Sequence, residues 1–442
     1  MIKNRTAILA LLTGLNLLNY IDRYVVAAVL KKMQAPVADG GLDLSNLQGG
    51  LLATAFLLGY FLTSPYFGAR ADKGKRTGLI AFGVIVWSLA TLATGLTHSF
   101  TTMMIARVCV GIGEASYATL APTIIDDITP AAQKSRTLAI FYLAIPVGSA
   151  LGYLVGGFVE ARWGWRTAFF VAGGPGIVLA LSCLAIAEPT RKLREDKGSI
   201  KDSLGVLARI PLFRRAVLGY CAYTAAVSAF AYWAPKYLAE RYSATGTFEM
   251  IGGVLHVVVA KAGSLTNETA DYYFGLVTVV AGALGTIIGG RWADAAAKNG
   301  PLVTDATPWN SRENKLAINT LLRVCAWGMV IAAPLTFAAF AMPTPLLFFS
   351  CAFLAEIGLF LSTSPVAAIG LRSVPPELRA SAMAAMIFAI HLFGDLWSPS
   401  VLGLLNDVLF SVVAMMAVPV TFAFSAYLWW PRAKEAGEEH DG

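Results

Sequence analysis

Charge is scarce in this chain: Asp, Glu, Lys and Arg make up 14% of 442 residues, against 57% hydrophobic, and the mean hydropathy is +0.64. So little charge cannot coat a soluble domain, in which about a quarter of residues are ordinarily charged. Histidine is scarcer still, with four residues (His98, His256, His391, His440) in separate segments. There is no HExxH, no nucleophile elbow and no glycine-rich phosphate loop. A lipid-modifying membrane enzyme would need clustered catalytic groups or metal ligands, so that reading is set aside, and ATP-driven transport falls with it. The five cysteines (Cys109, Cys183, Cys221, Cys325, Cys351) all lie in apolar runs without metal-ligand spacing. They suggest neither a disulfide framework nor a zinc site and read as small packing residues.

What is abundant is long apolar runs. A helix needs about 20 mostly apolar residues to cross a bilayer core. Twelve such runs lie near 7–30, 46–69, 77–97, 101–124, 136–159, 167–187, 215–239, 270–292, 315–340, 344–369, 378–405 and 409–430. The expected fold class is therefore all-α integral membrane, with twelve transmembrane helices. The first run is long, carries Asp22 and Arg23 and has no small-residue cleavage site, so it is expected to be retained and not removed as a signal peptide. The net charge of +7 could point to nucleic acid in a soluble chain, but here its distribution matters more. With the N-terminus inside, 24 of the 34 Lys and Arg fall on the tails and even-to-odd loops or at the run ends beside them, and 7 on or beside the opposite face. This predicts cytoplasmic termini, in the inner membrane if the source is bacterial, and no nucleic-acid partner.

The longest polar, basic connection, "EPTRKLREDKGSIKDSLGVLARIPLF", follows the sixth run. It divides the chain into an N-terminal six-helix bundle (1–187), a cytoplasmic linker (188–214), a C-terminal six-helix bundle (215–430) and a tail (431–442). "GARAD" at 68–72 is echoed by "GRWAD" at 290–294, and "TPAAQKSR" at 129–136 by "VPPELRAS" at 374–381. Duplicated six-helix halves imply pseudo-symmetry and alternating access, with a substrate site near mid-membrane.

At these residues the chain resembles the major facilitator superfamily. "GARADKGKR" is similar to the family's loop between its second and third helices, with Lys75 where a second Gly is usual. "RVCVGIGEA" (107–115) resembles its fourth-helix motif, and "PVGSALGYLVGG" (146–157) its glycine-rich fifth-helix motif, with Pro146 ahead of the glycines. "NYIDRYVVAAVL" and "GIGEASYATLAPTIIDD" are similar to the spinster branch, whose members carry lysophospholipids and sphingoid phosphates. The resemblance implies the two-bundle fold, a monomer, and no cofactor beyond a proton as coupling ion. It also implies a cytoplasmic gate of Gly68, Asp72, Lys73 and Arg76, with Asp126 and Asp127 as available partners and Asp294 in the repeated motif.

A charge near the bilayer centre costs about 2.5–3.5 kcal/mol on insertion scales, and usually marks a pathway or a pair. Asn16, Asn19, Tyr20 and Arg23 follow an i, i+3, i+4, i+7 stripe with Asp22 at its edge, so the first helix presents one polar face. Arg107 and Glu114 share a face of the fourth helix across Gly111. Counting 1.5 Å per residue places Asp22 within about 3 Å of the depth of Arg107, which allows a pair, and Glu114 about 10 Å deeper. Asp22 and Glu114 are candidate proton acceptors, because burial and a nearby arginine act in opposite senses on a carboxylate. Asn19, Arg23, Arg107 and Tyr117 complete a substrate and charge network in this half. In the second half Arg323 and Glu356 lie at similar depth and are candidate partners. His391 and Asp395, at i and i+4, form a second candidate proton site.

Aromatic residues gather in the second half, with Tyr220, Tyr223, Phe353, Phe360 and Phe388 as the expected hydrophobic cavity. A polar first half facing an apolar second half suits an amphiphilic lipid. The alternative is a proton-coupled carrier of a small organic anion or drug, held by Arg23 or Arg107. Residues 241–269 form a longer connection, either an interfacial amphipathic segment or a loop.

Overall fold

The structure is a computed structural model. It describes residues 2–71, 75–129, 137, 140–188, 200–242, 250–251, 255–256, 265–298, 307–375 and 378–432.

The first half of the chain forms α1 (Arg5–Met33), α2 (Asn46–Ala71), α3 (Arg76–Gly95), α4 (Phe100–Ile128), α5 (Ala144–Trp163) and α6 (Trp165–Leu184). A short helix α7 (Ile200–Arg209) precedes α8 (Pro211–Arg241) and α9 (Asn267–Lys298). Next come α10 (Arg312–Ala341), α11 (Pro345–Phe360), α12 (Thr363–Arg372) and α13 (Arg379–Ile390). A π-helical turn at His391–Asp395 leads to α14 (Ser398–Val408), α15 (Ser411–Met415) and α16 (Ala417–Trp429). Among the described residues the expected runs are helical, with the tenth broken between α11 and α12, the eleventh interrupted by the π turn and the twelfth broken between α15 and α16. Within residues 241–269 a two-residue strand pair, β1 (Met250–Ile251) and β2 (Leu255–His256), is described.

Start and stop signals act as the residue types dictate. Asn4 caps α1 by accepting from the Thr6 and Ala7 N–H groups, and Thr344 caps α11 with Pro345 at its first position. Among the described residues, eleven helices are long and apolar enough to cross a membrane. α1, at 29 residues, is long enough but carries a polar stripe, of which Asn16, Asn19 and Asp22 are buried against protein. That arrangement spares lipid the polar stripe.

Contacts cluster the chain into two compact units. The first holds Met1–Leu193, Ala231–Val279 and Pro399–Ser411, and the second Arg194–Phe230, Val280–Ser398 and Val412–Gly442. This differs from a division by chain order: the last turns of α8, the first half of α9 and α14 group with the first six helices. In the first unit α2 packs on α4, α1 on α5, and α3 on both α4 and α6. Glycines set these approaches. A Cβ at Gly111 would lie 2.0 Å from the Phe56 carbonyl oxygen, and at Gly148, Gly152 and Gly156 one would meet Tyr20, Tyr24 and Ala28 at 2.7 Å each. The glycine ladder of α5, spaced by four, is therefore the groove that seats α1.

The chain start and the end of α6 lie together, because the Ile2 N–H donates to the Ala185 carbonyl and the Ala187 N–H to Ile2. This is the terminal end of the first unit. At its far end, Asp407 accepts from the N–H groups of Asn46 and Leu47 at 2.8 and 2.7 Å, and Lys236 Nζ donates to Gln34 and Asn46. Trp233 Nε1 donates to the Pro399 carbonyl, and Tyr232 to that of Gly49. In the second unit α10 packs on α11, α12 and α16. Leu207 of α7 buries itself with Phe213, Val374 and Ala382, so part of the expected linker is a docked helix.

Candidate charge site and family

The polar stripe of α1 delivers Asn19, Asp22 and Arg23 to a point where α4 brings Arg107 and Glu114, and α2 and α3 close the sides. Arg23 Nε meets Glu114 Oε2 at 2.7 Å, with the glutamate fully buried. The Arg23 guanidinium also lies over three rings, those of Tyr20, Phe56 and Tyr60, at 5.1, 4.9 and 5.3 Å from their centroids. Those aromatic faces favour the cation electrostatically where water cannot reach it. Asp22, 1% exposed, accepts a 2.5 Å hydrogen bond from Thr91 Oγ1 on α3.

The expected Asp22–Arg107 pair does not form. Among the described residues Arg107 makes no ion pair, although Asp22 is within its Coulombic reach. Its guanidinium instead lies 5.1 Å from the Phe56 ring centroid, because the close approach of α2 at Gly111 puts that ring beside it. Equal depth on two helices does not fix which faces meet, and here it is Arg23, one residue on, that turns to α4. Five atoms at this site are buried without a hydrogen-bond partner: Asn19 Nδ2, Asp22 Oδ1, Glu114 Oε1, and Arg107 Nε and Nη1. Two acids and two bases with spare donors and acceptors can be paired in more than one way.

Tyr117, expected in this network, is a packing residue. It is fully buried, its hydroxyl donates to the Leu12 carbonyl, and its ring stands edge-on to Trp87 at 5.6 Å. Thr91, Phe56 and Tyr60 were not anticipated. A threonine or an aromatic in an apolar run carries no signal of its own.

In the second unit Arg323 and Glu356 are not partners: the arginine is exposed on α10, while the glutamate is 3% exposed on α11. Matched depth again failed to specify the face. His391 and Asp395 do meet, Nδ1 lying 2.9 and 3.1 Å from the two carboxylate oxygens. They sit on the π turn, a distortion frequent at functional sites. Of the expected cavity aromatics, Tyr223 is buried against Trp429 at 5.9 Å and Tyr220 at 5.8 Å, which makes it a packing residue. Phe360 packs on Gly282 and Gly285 of α9. Tyr220 and Phe353 are half-buried, and Phe388 is exposed.

At the terminal end, Arg76 bonds Asp127 at 2.7 Å, Glu188 at 3.0 Å and Thr123 at 3.1 Å, tying α3, α4 and the residues after α6. Gly68 is half-buried on α2. Asp72 and Lys73, the segment "PAAQKSR" (130–136), and the side chains of Asp126 and Asp294 lie outside the described residues. Glu188, read from sequence as the start of a linker, is instead an anchor. Burial pushes its carboxyl up, but hydrogen bonds from the Thr77 N–H, Arg76 and the Thr77 hydroxyl outweigh it and hold it below the usual range. Among the described residues no three His, Cys, Asp or Glu side chains converge as a metal site.

The family profile described as Major Facilitator Superfamily matches residues 12–399. The chain is 31% identical over 425 residues to the probable sphingolipid transporter spinster homolog 2 of Arabidopsis thaliana, covering 89% of this chain and 79% of the relative. It is 33% identical over 414 residues to protein spinster homolog 1 of Homo sapiens, covering 90% and 72%. Among solved structures, a bacterial homolog of the human lysosomal transporter spinster, in an inward-facing and unoccupied conformation, superposes with a TM-score of 0.78 at 21% identity over 98% of each chain. With apolar helices, a charged seam between α1 and α4 and a glycine ladder on α5, the chain is a multi-pass membrane protein that belongs to the spinster family of major facilitator superfamily transporters.

Proposed function

We propose that this transporter carries an amphiphilic lipid of the lysophospholipid or sphingoid phosphate type, coupled to protons, by alternating access. The observation that supports this most is the half-satisfied cluster of Asp22, Arg23, Arg107 and Glu114, buried among aromatic rings. Neutralising Glu114 removes the ion partner of Arg23, and neutralising Asp22 removes the nearby countercharge of Arg107. Either guanidinium is then available to an anionic headgroup. A proton can drive a conformational change only if it binds one state more tightly than the other, and a network with alternative pairings provides that difference. His391 and Asp395 are a second proton site in this reading, and Phe353, Phe360 and Phe388 offer apolar surface to a tail. The names of the Arabidopsis relatives as probable sphingolipid transporters support the cargo class.

The moving bodies are the two six-helix halves, 1–187 and 215–430. The bias of Lys and Arg supports cytoplasmic termini, with the far end of the first unit outside. Uptake into proteoliposomes of a sphingoid phosphate, a lysophospholipid and a small carboxylate tests the cargo. Saturable movement of either lipid, abolished in Arg23→Leu, is the expected result. Movement of the carboxylate alone replaces the lipid reading with that of a small-anion carrier.

A further inference from the structure

A second buried acid stands apart from the α1 and α4 cluster, at the seam where α5 meets the first half of α9. Asp271 of α9 is 1% exposed, and neither of its carboxylate oxygens receives a hydrogen bond among the described residues. Its Oδ2 presses on α5 at Gly157, where a Cβ would lie 2.6 Å away. The seam is closed around it by the edge-on rings of Tyr153 and Phe274 at 5.2 Å and by Gly275 against Ala150. Glu160 on α5, 7% exposed, lies within Coulombic reach.

Among the described residues, Glu160 is the charged group that acts on this acid. On α1, Lys32 lies 3.9 Å from Glu160, and Lys31 donates to the Ala239 carbonyl. On α5, Arg162 is paired with Glu268 of α9 at 2.8 Å. These three cations are thus committed to Glu160, Glu268 and a backbone carbonyl, and Arg241 at the end of α8 does not act on Asp271. An ionised carboxylate that is fully enclosed, without a donor and beside another acid, is among the costliest arrangements a protein can hold. A neutral carboxyl in the same place costs far less.

We propose that the α5–α9 seam is a further proton-binding site, apart from both sites described above: Asp271 takes a proton from the far-end solution as the seam closes and returns it there when the seam opens. This rests on the alternating-access reading but not on the identity of the cargo. It makes closure of this end pH-dependent, because a proton must be bound before the acid can be enclosed. Gly157 is the complementary requirement, since any side chain there would occupy the space of the carboxyl.

The test is hydrogen–deuterium exchange of residues 144–163 and 267–279 in the substrate-free protein, corrected for the intrinsic pH dependence of exchange. Wild type should exchange at least ~10-fold more slowly at about pH 5 than at about pH 8 in these segments. Asp271→Asn and Asp271→Leu should both keep the slow exchange at about pH 8, with Leu decisive because it removes the charge without needing a hydrogen bond. Glu160→Gln should keep the pH response. The proposal is overturned if Asp271→Leu exchanges as fast as wild type at about pH 8, if wild type shows no pH response, or if Glu160→Gln abolishes it. No substrate is present, so failure of the lipid reading would leave these outcomes unchanged.

Discussion

The two units treat buried charge differently. In the first, Asp22, Arg23, Arg107 and Glu114 converge from two helices, two of each sign, with one ion pair made and several donors and acceptors in reserve. Among the groups described in the second, Arg323 is exposed, Glu356 is buried on another helix, and His391 meets Asp395 within one turn. A network of four can exchange partners, whereas a local pair can only gain or lose a proton. In the proposed coupling, this difference assigns the switch to the α1 and α4 cluster and a modulating part to the π turn.

The largest effect expected from breaking this contrast comes from Glu114→Gln. Removing one partner of a buried pair costs about 3–5 kcal/mol, so the variant should melt well below wild type and lose proton-coupled uptake. The double variant Arg23→Leu with Glu114→Leu should recover most of the thermal stability but none of the coupling, which separates a switch from a strut. Next comes the helix contact that shapes the site. Gly111→Ala forces α2 and α4 apart at the Phe56 carbonyl and should cost about 1–3 kcal/mol by overpacking. Gly290→Ala on α9, where nothing lies within 4 Å, should be neutral or slightly stabilising in the same melting assay.

A smaller effect is expected in the second unit. Asp395→Asn should lower uptake by less than Glu114→Gln does, because it breaks one local pair and not a network. A larger loss than in Glu114→Gln would invert the comparison. The smallest effect lies at the terminal end. Glu188 is held below its ordinary value, so its contribution is present above the unfolded carboxylate range of about 4.3 and is lost as pH falls through the folded value. Glu188→Gln should therefore lower the melting temperature slightly at neutral pH and not at all in strong acid. A half-exposed group allows no more than a small change.

Much of this was legible in the sequence. The twelve runs were visible because a bilayer demands length and apolarity, and the polar stripe of α1 because its spacing is helical. That Asp22, Arg23, Arg107 and Glu114 form one site followed from their cost in a membrane. Which of them pair did not follow: a depth count gives neither the rotation about a helix nor the reach of a long side chain, so the contact with α4 is made by Arg23 to Glu114 and not by Asp22 to Arg107. Thr91 was invisible because one hydroxyl in "SLATLATG" looks like filler. Tyr117 and Tyr223 were read as lining residues, yet both are packed inside, since an aromatic on a helix gives no sign of which neighbour it faces. Glu188 was hidden by its place at the start of a basic connection.

The central claim is tested most directly by substrate-driven proton movement in sealed proteoliposomes, comparing wild type with Asp22→Asn and Glu114→Gln. The account predicts that adding lipid substrate to wild type changes the internal pH, and that either neutral variant abolishes the signal. Equal lipid movement in wild type and both variants, with no pH change in any of them, would make the buried charges a structural brace and the protein a facilitator.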